Sequence, residues 1–339
     1  MFTSKLVTMP TLVFSEAGKD AIFSVGLNCL IEFALILLIT VVISRTPNTN
    51  FFELLKNKIG FFAYIVYIAL AAFILVRIVY CFQEAYSFFL ENLYDELNIF
   101  VFILPVLFIS VFLASKGIRT IGRTLEITIW VILAGMVLAL LSNTEFIDPT
   151  QNMPYFENGL KPILNGSVKS IFLFGSTLSL ILLVGKVDSS QKLVKNTTLI
   201  CGIGSIIMIL ACFVFYSVFG NSMQYVLFSL SEYSQFDPYI LELQRLIWLT
   251  AVLDVAKLFC ATLCLTFFLN QCLTEPFKIK SSLIPIVIAS LIIVVLGVVT
   301  HFDTIIWFDI TKSYLTYFTL GLMALIVFIC VLLIRRKNE

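Results

Sequence analysis

The sequence has little charge and almost no histidine. Of its 339 residues 13% are charged and 60% are hydrophobic, whereas an ordinary globular domain carries about 25% charged residues. The net charge is +1, which gives no reason to expect a nucleic acid as a partner. The single histidine, His301, excludes multi-histidine metal sites and leaves little for histidine-dependent nucleophilic catalysis. We therefore predict that the protein is not an enzyme and uses no metal or cofactor.

Cysteine chemistry is not indicated either. The eight cysteines lie mostly in apolar runs, with no Cys-x-x-Cys pair, so we interpret them as small core residues. Polar catalytic loops are equally scarce, which disfavours a membrane enzyme such as a lipid-linked transferase.

Long apolar runs are what the sequence does contain. A helix needs about 20 apolar residues to cross a hydrocarbon core of about 30 Å. Such windows lie at roughly 21–43, 62–88, 98–115, 125–141, 160–184, 197–218, 246–269, 283–299 and 313–334. Ahead of them is a stub at roughly 4–15, too short to cross alone and carrying Pro10. These runs predict an all-α integral membrane protein, with nine full transmembrane helices and an N-terminal half-helix in a single domain, 1–339.

The connecting segments alternate in charge. Lysine and arginine cluster at 45–58, 116–123, 186–195, 278–280 and 335–337, whereas acids dominate at 91–96, 145–157, 232–242 and 303–309. Because cytoplasmic loops carry the excess of lysine and arginine, we place the first set and the carboxyl terminus in the cytoplasm. The stub then ends outside and begins near mid-membrane. A complete first helix needs about ten more residues, so the natural start lies upstream, the start codon is misassigned, or the copy is truncated.

Four ionisable side chains lie near the middle of predicted spans: Glu32, Arg77, Asp254 and Lys257. The last two are spaced i, i+3 and share a helix face. A charge at mid-membrane is costly unless it is paired or hydrated, so such residues by default mark a substrate or ion path. Two acids and two bases at one depth carry the charges needed to neutralise one another, and the partners of Glu32 and Arg77 are left open. They form either structural ion pairs or a coupling site in which Lys257 cycles a proton or replaces a sodium ion.

Two spans carry sequence that interrupts a helix. The candidate substrate-binding residues at these breaks are Thr8, Pro10, Thr11, Phe174, Gly175, Ser176 and Thr177. Free backbone groups at mid-membrane are tolerated only where they line a cavity, and there they bind polar substrate groups. One break in the first segment of each five-helix half is the pattern of inverted-repeat carriers. The alternative is a helix-packing patch of small residues.

Particular stretches carry a family resemblance. The block Tyr155-Phe-Glu-Asn-Gly-Leu-Lys-Pro-Ile-Leu-Asn-Gly166, followed by Phe-Leu-Phe-Gly at 172–175, resembles the B-subunit permeases of spore germinant receptors, in the amino acid, polyamine and organocation transporter superfamily. Supporting pieces are Met9-Pro10, Glu16-Ala-Gly-Lys-Asp20 and Tyr239-Ile-Leu-Glu-Leu-Gln-Arg-Leu-Ile-Trp248. The resemblance covers most of the chain from about residue 5 onward.

The resemblance implies a LeuT-like five-plus-five inverted repeat with its site at the breaks of helices one and six. It also implies assembly with A-type and C-type receptor subunits in the inner membrane of a spore, with a small nutrient such as an amino acid as the signal. The chain departs from the family pattern, because Leu173-Phe174-Gly175-Ser176 stands where Pro-Phe-Gly-Glu is usual. We therefore expect a germinant receptor subunit, with a proton- or sodium-coupled amino acid transporter as the alternative.

Overall fold

The computed structural model describes residues 5–46, 49–94, 96–141, 143–156, 159–187, 191–235, 244–279, 283–300, 307 and 309–335. Every regular element within these ranges is helical. The α-helices are α1 (Met9–Ala17), α2 (Ala21–Arg45), α3 (Phe51–Ile59), α4 (Phe62–Asn92), α5 (Ile99–Ser115), α6 (Ile118–Leu141), α7 (Leu160–Phe174), α8 (Gln191–Phe219), α9 (Ser229–Gln235), α10 (Gln244–Phe277), α11 (Leu283–Thr300) and α12 (Thr316–Arg335).

The apolar runs form long helices, as the sequence predicts. Seven helical stretches of the described chain are long and apolar enough to cross a membrane, and two shorter apolar helices lie at Ile99–Ser115 and Val287–Val299. The prediction of a multi-pass membrane protein is confirmed. Several boundaries were placed short: α6 begins at Ile118 rather than 125, and α10 continues to Phe277 rather than 269. Polar residues near helix ends reach the aqueous interface, so these helices extend past their apolar centres.

The stub is helical but is not separate from the first span. A short 3₁₀ turn, Gly18–Asp20, joins α1 to α2, and Gly18 has φ of +58°. That conformation favours glycine because it has no Cβ. Pro10 lies in the first turn of α1, where its missing N–H removes no helical hydrogen bond. Pro10 therefore begins a helix in the structure and does not interrupt one from within.

The other expected break is present as a change of helix type. Helix α7 ends at Phe174, and a 3₁₀ segment continues from Gly175 to Leu183. Runs of 3₁₀ helix longer than three or four residues are uncommon and often mark a functional hinge. The chain therefore changes its helical geometry at the glycine that the sequence singled out.

Helix α4 forms the centre of the bundle. Its residues from Arg77 to Phe88 are all buried, and it packs most extensively on α10. By contrast, α5, α6 and α11 expose large apolar side chains such as Phe108, Trp130 and Val299. A helix that is apolar all round is buried in the protein or faces lipid. Helix α4 thus presents its polar side chains to other helices, where a site can form.

Candidate functional site

A fully buried ion pair joins the start of the described chain to α2. The Lys5 ammonium lies 2.5 Å from the Glu32 carboxylate, and both side chains are inaccessible to solvent. The same ammonium lies 4.3 Å from the ring centroid of Phe174, the last residue of α7. The residues before α1, the middle of α2 and the end of α7 therefore meet at one point.

A chain of polar groups lies beside this pair, between α1 and α4. The Thr8 hydroxyl donates to the Glu84 carboxylate at 2.5 Å and lies 3.0 Å from the Tyr80 hydroxyl. All three side chains are buried. Because Thr8 immediately precedes α1, this cluster links the first predicted break to the central helix.

Arg77 lies on α4 two turns before Glu84, and its charge is not paired by any acid in the described residues. Its guanidinium lies 4.9 Å from the ring centroid of Phe172 and 5.5 Å from that of Tyr80. Aromatic faces attract a cation but accept no strong hydrogen bond. The guanidinium is therefore held in position with hydrogen-bonding capacity left over.

Asp254 and Lys257 form an ion pair within α10, as their spacing predicts. Both line a cavity of about 20 Å³ together with Glu84 and Val7, a volume that holds about one water molecule. The basic member of the pair thus has a second carboxylate nearby on α4.

The four mid-span charges do not form one mutually neutralising set in the described residues. Glu32 pairs with Lys5 instead, Asp254 pairs with Lys257, and Arg77 makes aromatic contacts. Lys5, in the segment before α1, pairs with Glu32, and Arg77 forms no ion pair within the described residues.

The residues of the 3₁₀ break are packed rather than open. A Cβ on Gly175 would lie 2.7 Å from both Phe73 Cζ and Thr319 Cγ2, closer than real Cβ contacts allow. The Thr177 hydroxyl donates to the Phe174 carbonyl, and the buried Ser176 hydroxyl has no partner in the described residues. Gly175 therefore permits close approach of α4 and α12, while Ser176 keeps an unused hydroxyl.

The predicted residues of the first break face different neighbours. Pro10 accepts a hydrogen bond from the Tyr216 hydroxyl at 3.0 Å, and Thr11 donates to the Val226 carbonyl. Thr8 alone of the three contacts the charged groups of α4. The structure brings Thr8 to the α4 cluster and turns Pro10 and Thr11 toward α8 and the segment that follows it.

Polar contacts also close both ends of this region. At the end with acid-rich connections, the acidic end, Glu16 pairs with Lys169 of α7 at 2.6 Å and with Lys312 at 3.4 Å. At the opposite, basic end, Glu275 of α10 pairs with Lys186 and accepts from the Tyr67 hydroxyl at 2.7 Å. The buried cluster therefore lies between two sets of ion pairs that link different helices, one around Glu16 and one around Glu275. We call each set a latch.

The comparisons with known proteins agree with this arrangement of apolar helices around a buried polar centre. A family model described as "Spore germination protein" matches residues 1–306. The chain belongs to the spore germination protein family.

A curated relative supports this membership. The present chain is 24% identical over 206 residues to spore germination protein KB of Bacillus subtilis (strain 168). The match covers 58% of the present chain and 54% of that relative. The chain therefore matches about half the length of the curated relative. The confirmed family resemblance is that of the germinant receptor permeases.

The sequence analysis missed three side chains of the buried cluster: Lys5, Tyr80 and Glu84. Glu84 was visible as an ionisable residue inside a predicted span, seven positions after Arg77 and therefore on the same helix face. Lys5 lay in the stub, and no sequence spacing indicates its pairing with Glu32, because 27 positions separate them.

Proposed function

We propose that this chain is the ligand-sensing, permease-like subunit of a spore germinant receptor. It senses a small nutrient such as an amino acid and, with A-type and C-type receptor subunits, triggers germination. Its place is the inner membrane of the spore, with the basic end and the carboxyl terminus in the cytoplasm. Family membership supports the receptor class, and the alternation of charge supports the orientation.

The proposed architecture is a single domain, 1–339, with the five-plus-five inverted repeat of LeuT-like carriers. Two features support it. Helix α1 begins beside the central helix, and the first span of the second half changes from α to 3₁₀ helix at Gly175. In such folds, irregular backbone at mid-membrane binds the polar groups of the substrate.

The observation that carries the proposal is the buried cluster of Thr8, Tyr80 and Glu84 next to unpaired Arg77. A spore receptor that only transmitted a signal between partners would not need four polar side chains in the middle of the bilayer. Ionisable groups at this depth are by default part of a ligand or ion path. We therefore place the ligand between the start of α1, α4 and the Phe174–Thr177 junction.

An active amino acid carrier coupled to protons or sodium is the second candidate. Glu84 favours it, because its hydrogen bond in the described residues comes from the Thr8 hydroxyl and not from a cation. A buried carboxylate of this kind is typical of proton relays. Glu32 and Asp254 favour sensing instead, because Lys5 and Lys257 already neutralise them.

The test uses spores in which this chain is the sole B-type subunit. Thr8→Val removes the hydroxyl that bonds Glu84, and we expect the nutrient concentration for half-maximal germination to rise by about tenfold or more, as for loss of a hydrogen bond to a charged group. Thr124→Val is the matched control, because the Thr124 hydroxyl donates to the Thr120 carbonyl of its own helix, α6. Both variants are assayed for germination, membrane abundance and uptake of radiolabelled amino acids.

The two candidate functions give different results in that assay. Germination without net uptake supports the receptor, whereas accumulation against a gradient supports the carrier. A Thr8→Val variant that germinates and accumulates like the wild type would contradict a ligand site at this cluster.

A further inference from the structure

Arg77 has donors that nothing in the described chain accepts. The residue is 3% exposed, and its Nε and Nη1 atoms are buried without a hydrogen-bond partner. Unsatisfied buried polar groups are rare in native proteins and call for an explanation. A guanidinium remains charged in a protein, so Arg77 cannot relieve this cost by losing a proton.

A second unsatisfied donor belongs to a residue that borders the same Tyr80 ring. The Nε1 atom of Trp307 is buried without a partner, and the indole ring lies 6.4 Å from the Tyr80 ring that also contacts Arg77. Guanidinium and indole nitrogens donate hydrogen bonds and accept none. The missing partner of both groups is therefore an acceptor.

The neighbouring acids are already engaged or lie too far along the helix. Glu32 pairs with Lys5, and Asp254 pairs with Lys257. Glu84 is seven residues from Arg77 on α4, which is about 10 Å along the helix axis, and it accepts from Thr8. Within the described residues no acid is left to pair with Arg77, and a bound molecule would supply the compensating negative charge.

We infer that Arg77 binds the carboxylate of the small-molecule ligand, with Trp307 Nε1 as an additional donor and the Phe172 and Tyr80 rings as walls. This inference rests on the proposed function for the location of the ligand. A planar carboxylate matches the fork of guanidinium N–H groups, and its single charge neutralises the site. A phosphate group carries about −1.5 to −2 at pH 7 and would leave an excess negative charge in the bilayer.

The inference is tested by thermal unfolding of the full chain in lipid nanodiscs. The probes are acetate, glycine, L-alanine and inorganic phosphate, at constant ionic strength set with chloride. Each of the three carboxylic acids is compared with its amide: acetamide, glycinamide or L-alaninamide. Because a ligand that binds only the folded state raises its stability, we expect the acids to raise the unfolding midpoint by about 2 °C or more. The amides should leave it unchanged.

Variants assign the effect to the guanidinium. Arg77→Met should abolish the shift with acids and should raise the midpoint in chloride alone, because it removes a charge that is unpaired without ligand. Arg77→Lys should keep part of the shift. Arg123→Met is the matched control, because Arg123 is exposed at the amino-terminal end of α6.

Four results would overturn the inference: no shift with any acid, equal shifts with acids and amides, an acid shift that survives in Arg77→Met, or a lower midpoint of Arg77→Met in chloride. A lower midpoint of Arg77→Met in chloride would mean that the contacts of Arg77 with its aromatic neighbours stabilise the fold. A larger shift with inorganic phosphate than with acetate would also overturn the choice of carboxylate. The proposed function fails separately: an Arg77-dependent acid shift in nanodiscs, together with spores that germinate in response to no nutrient, contradicts the receptor role and leaves the anion site standing.

Discussion

The Lys5 ammonium and the Glu32 carboxylate lie 2.5 Å apart with neither side chain exposed. Breaking such a pair leaves an uncompensated buried charge, whereas removing both partners does not. We expect Lys5→Met or Glu32→Gln each to destabilise the protein by roughly 3–5 kcal/mol, and the double variant to be more stable than either single variant. Denaturant unfolding in detergent measures all three.

The pair between Glu16 and Lys169 is the matched control, because the Lys169 side chain is 41% exposed. Exposed ion pairs contribute about 0–1 kcal/mol, so Lys169→Met should change stability little. Additive losses at Lys5 and Glu32 would show that the two charges do not depend on one another.

The pair in α10 should respond asymmetrically. Asp254→Asn leaves Lys257 facing a cavity that Glu84 also lines, so the cation keeps an opposite charge nearby. Lys257→Met leaves two carboxylates facing one cavity with no cation from α10. We therefore expect Lys257→Met to lower the amount of folded protein in the membrane more than Asp254→Asn does, and the double variant to recover part of the loss. Equal losses in the two single variants would argue against contact between Glu84 and the pair.

Gly175 should tolerate an added methyl group only if its neighbours shrink. Its φ of −68° is open to any residue, but a Cβ there would meet Phe73 and Thr319 at 2.7 Å. Overpacking of this kind costs about 1–3 kcal/mol. Gly175→Ala should therefore lower the unfolding midpoint, and Thr319→Ser, which removes the Cγ2 methyl, should restore part of it.

The control for Gly175 is Gly202→Ala, within α8. A Cβ at Gly202 would contact only Phe33 Cε2 at 3.9 Å, and alanine is favoured over glycine in a helix by about 1 kcal/mol. This variant should be neutral or stabilising. A Gly175→Ala protein as stable as the wild type would mean that the junction is looser than the contacts indicate.

The latch at the basic end should control access to the centre. Glu275→Gln weakens the contacts with Lys186 and Tyr67, and Cys272, which is buried, lies one helical turn before Glu275. We expect membrane-impermeant maleimide added to inverted vesicles to label Cys272 faster in the variant. Mass spectrometry identifies the labelled cysteine, and Cys212, buried in α8, serves as the internal reference. Unchanged labelling of Cys272 would mean that the latch does not limit access.

The positions of the helices could be predicted, but their partners could not. Apolar length fixes where α2, α4 and α12 cross, and Gly175 marks the change of helix type because glycine and hydroxyl residues weaken a continuous helix. The rotation of each helix about its own axis could not be predicted, because a helix that is apolar on every side has no periodic pattern of hydrophobicity to identify its inward face. This is why the sequence left the partners of Glu32 and Arg77 open, and the structure pairs Glu32 with Lys5.

The five residues Thr311–Leu315 form a π-helical turn before α12. Within it the Thr311 hydroxyl donates to the Trp307 carbonyl at 2.7 Å, and the Thr316 hydroxyl donates to the Thr311 carbonyl at 2.9 Å. A π turn holds one residue more than an α turn, and one residue corresponds to about 100° of rotation about the axis. The direction in which the Trp307 indole points is therefore set by the number of residues in this turn. Deleting one residue from this turn would leave the hydropathy profile intact and swing the Trp307 indole away from Tyr80.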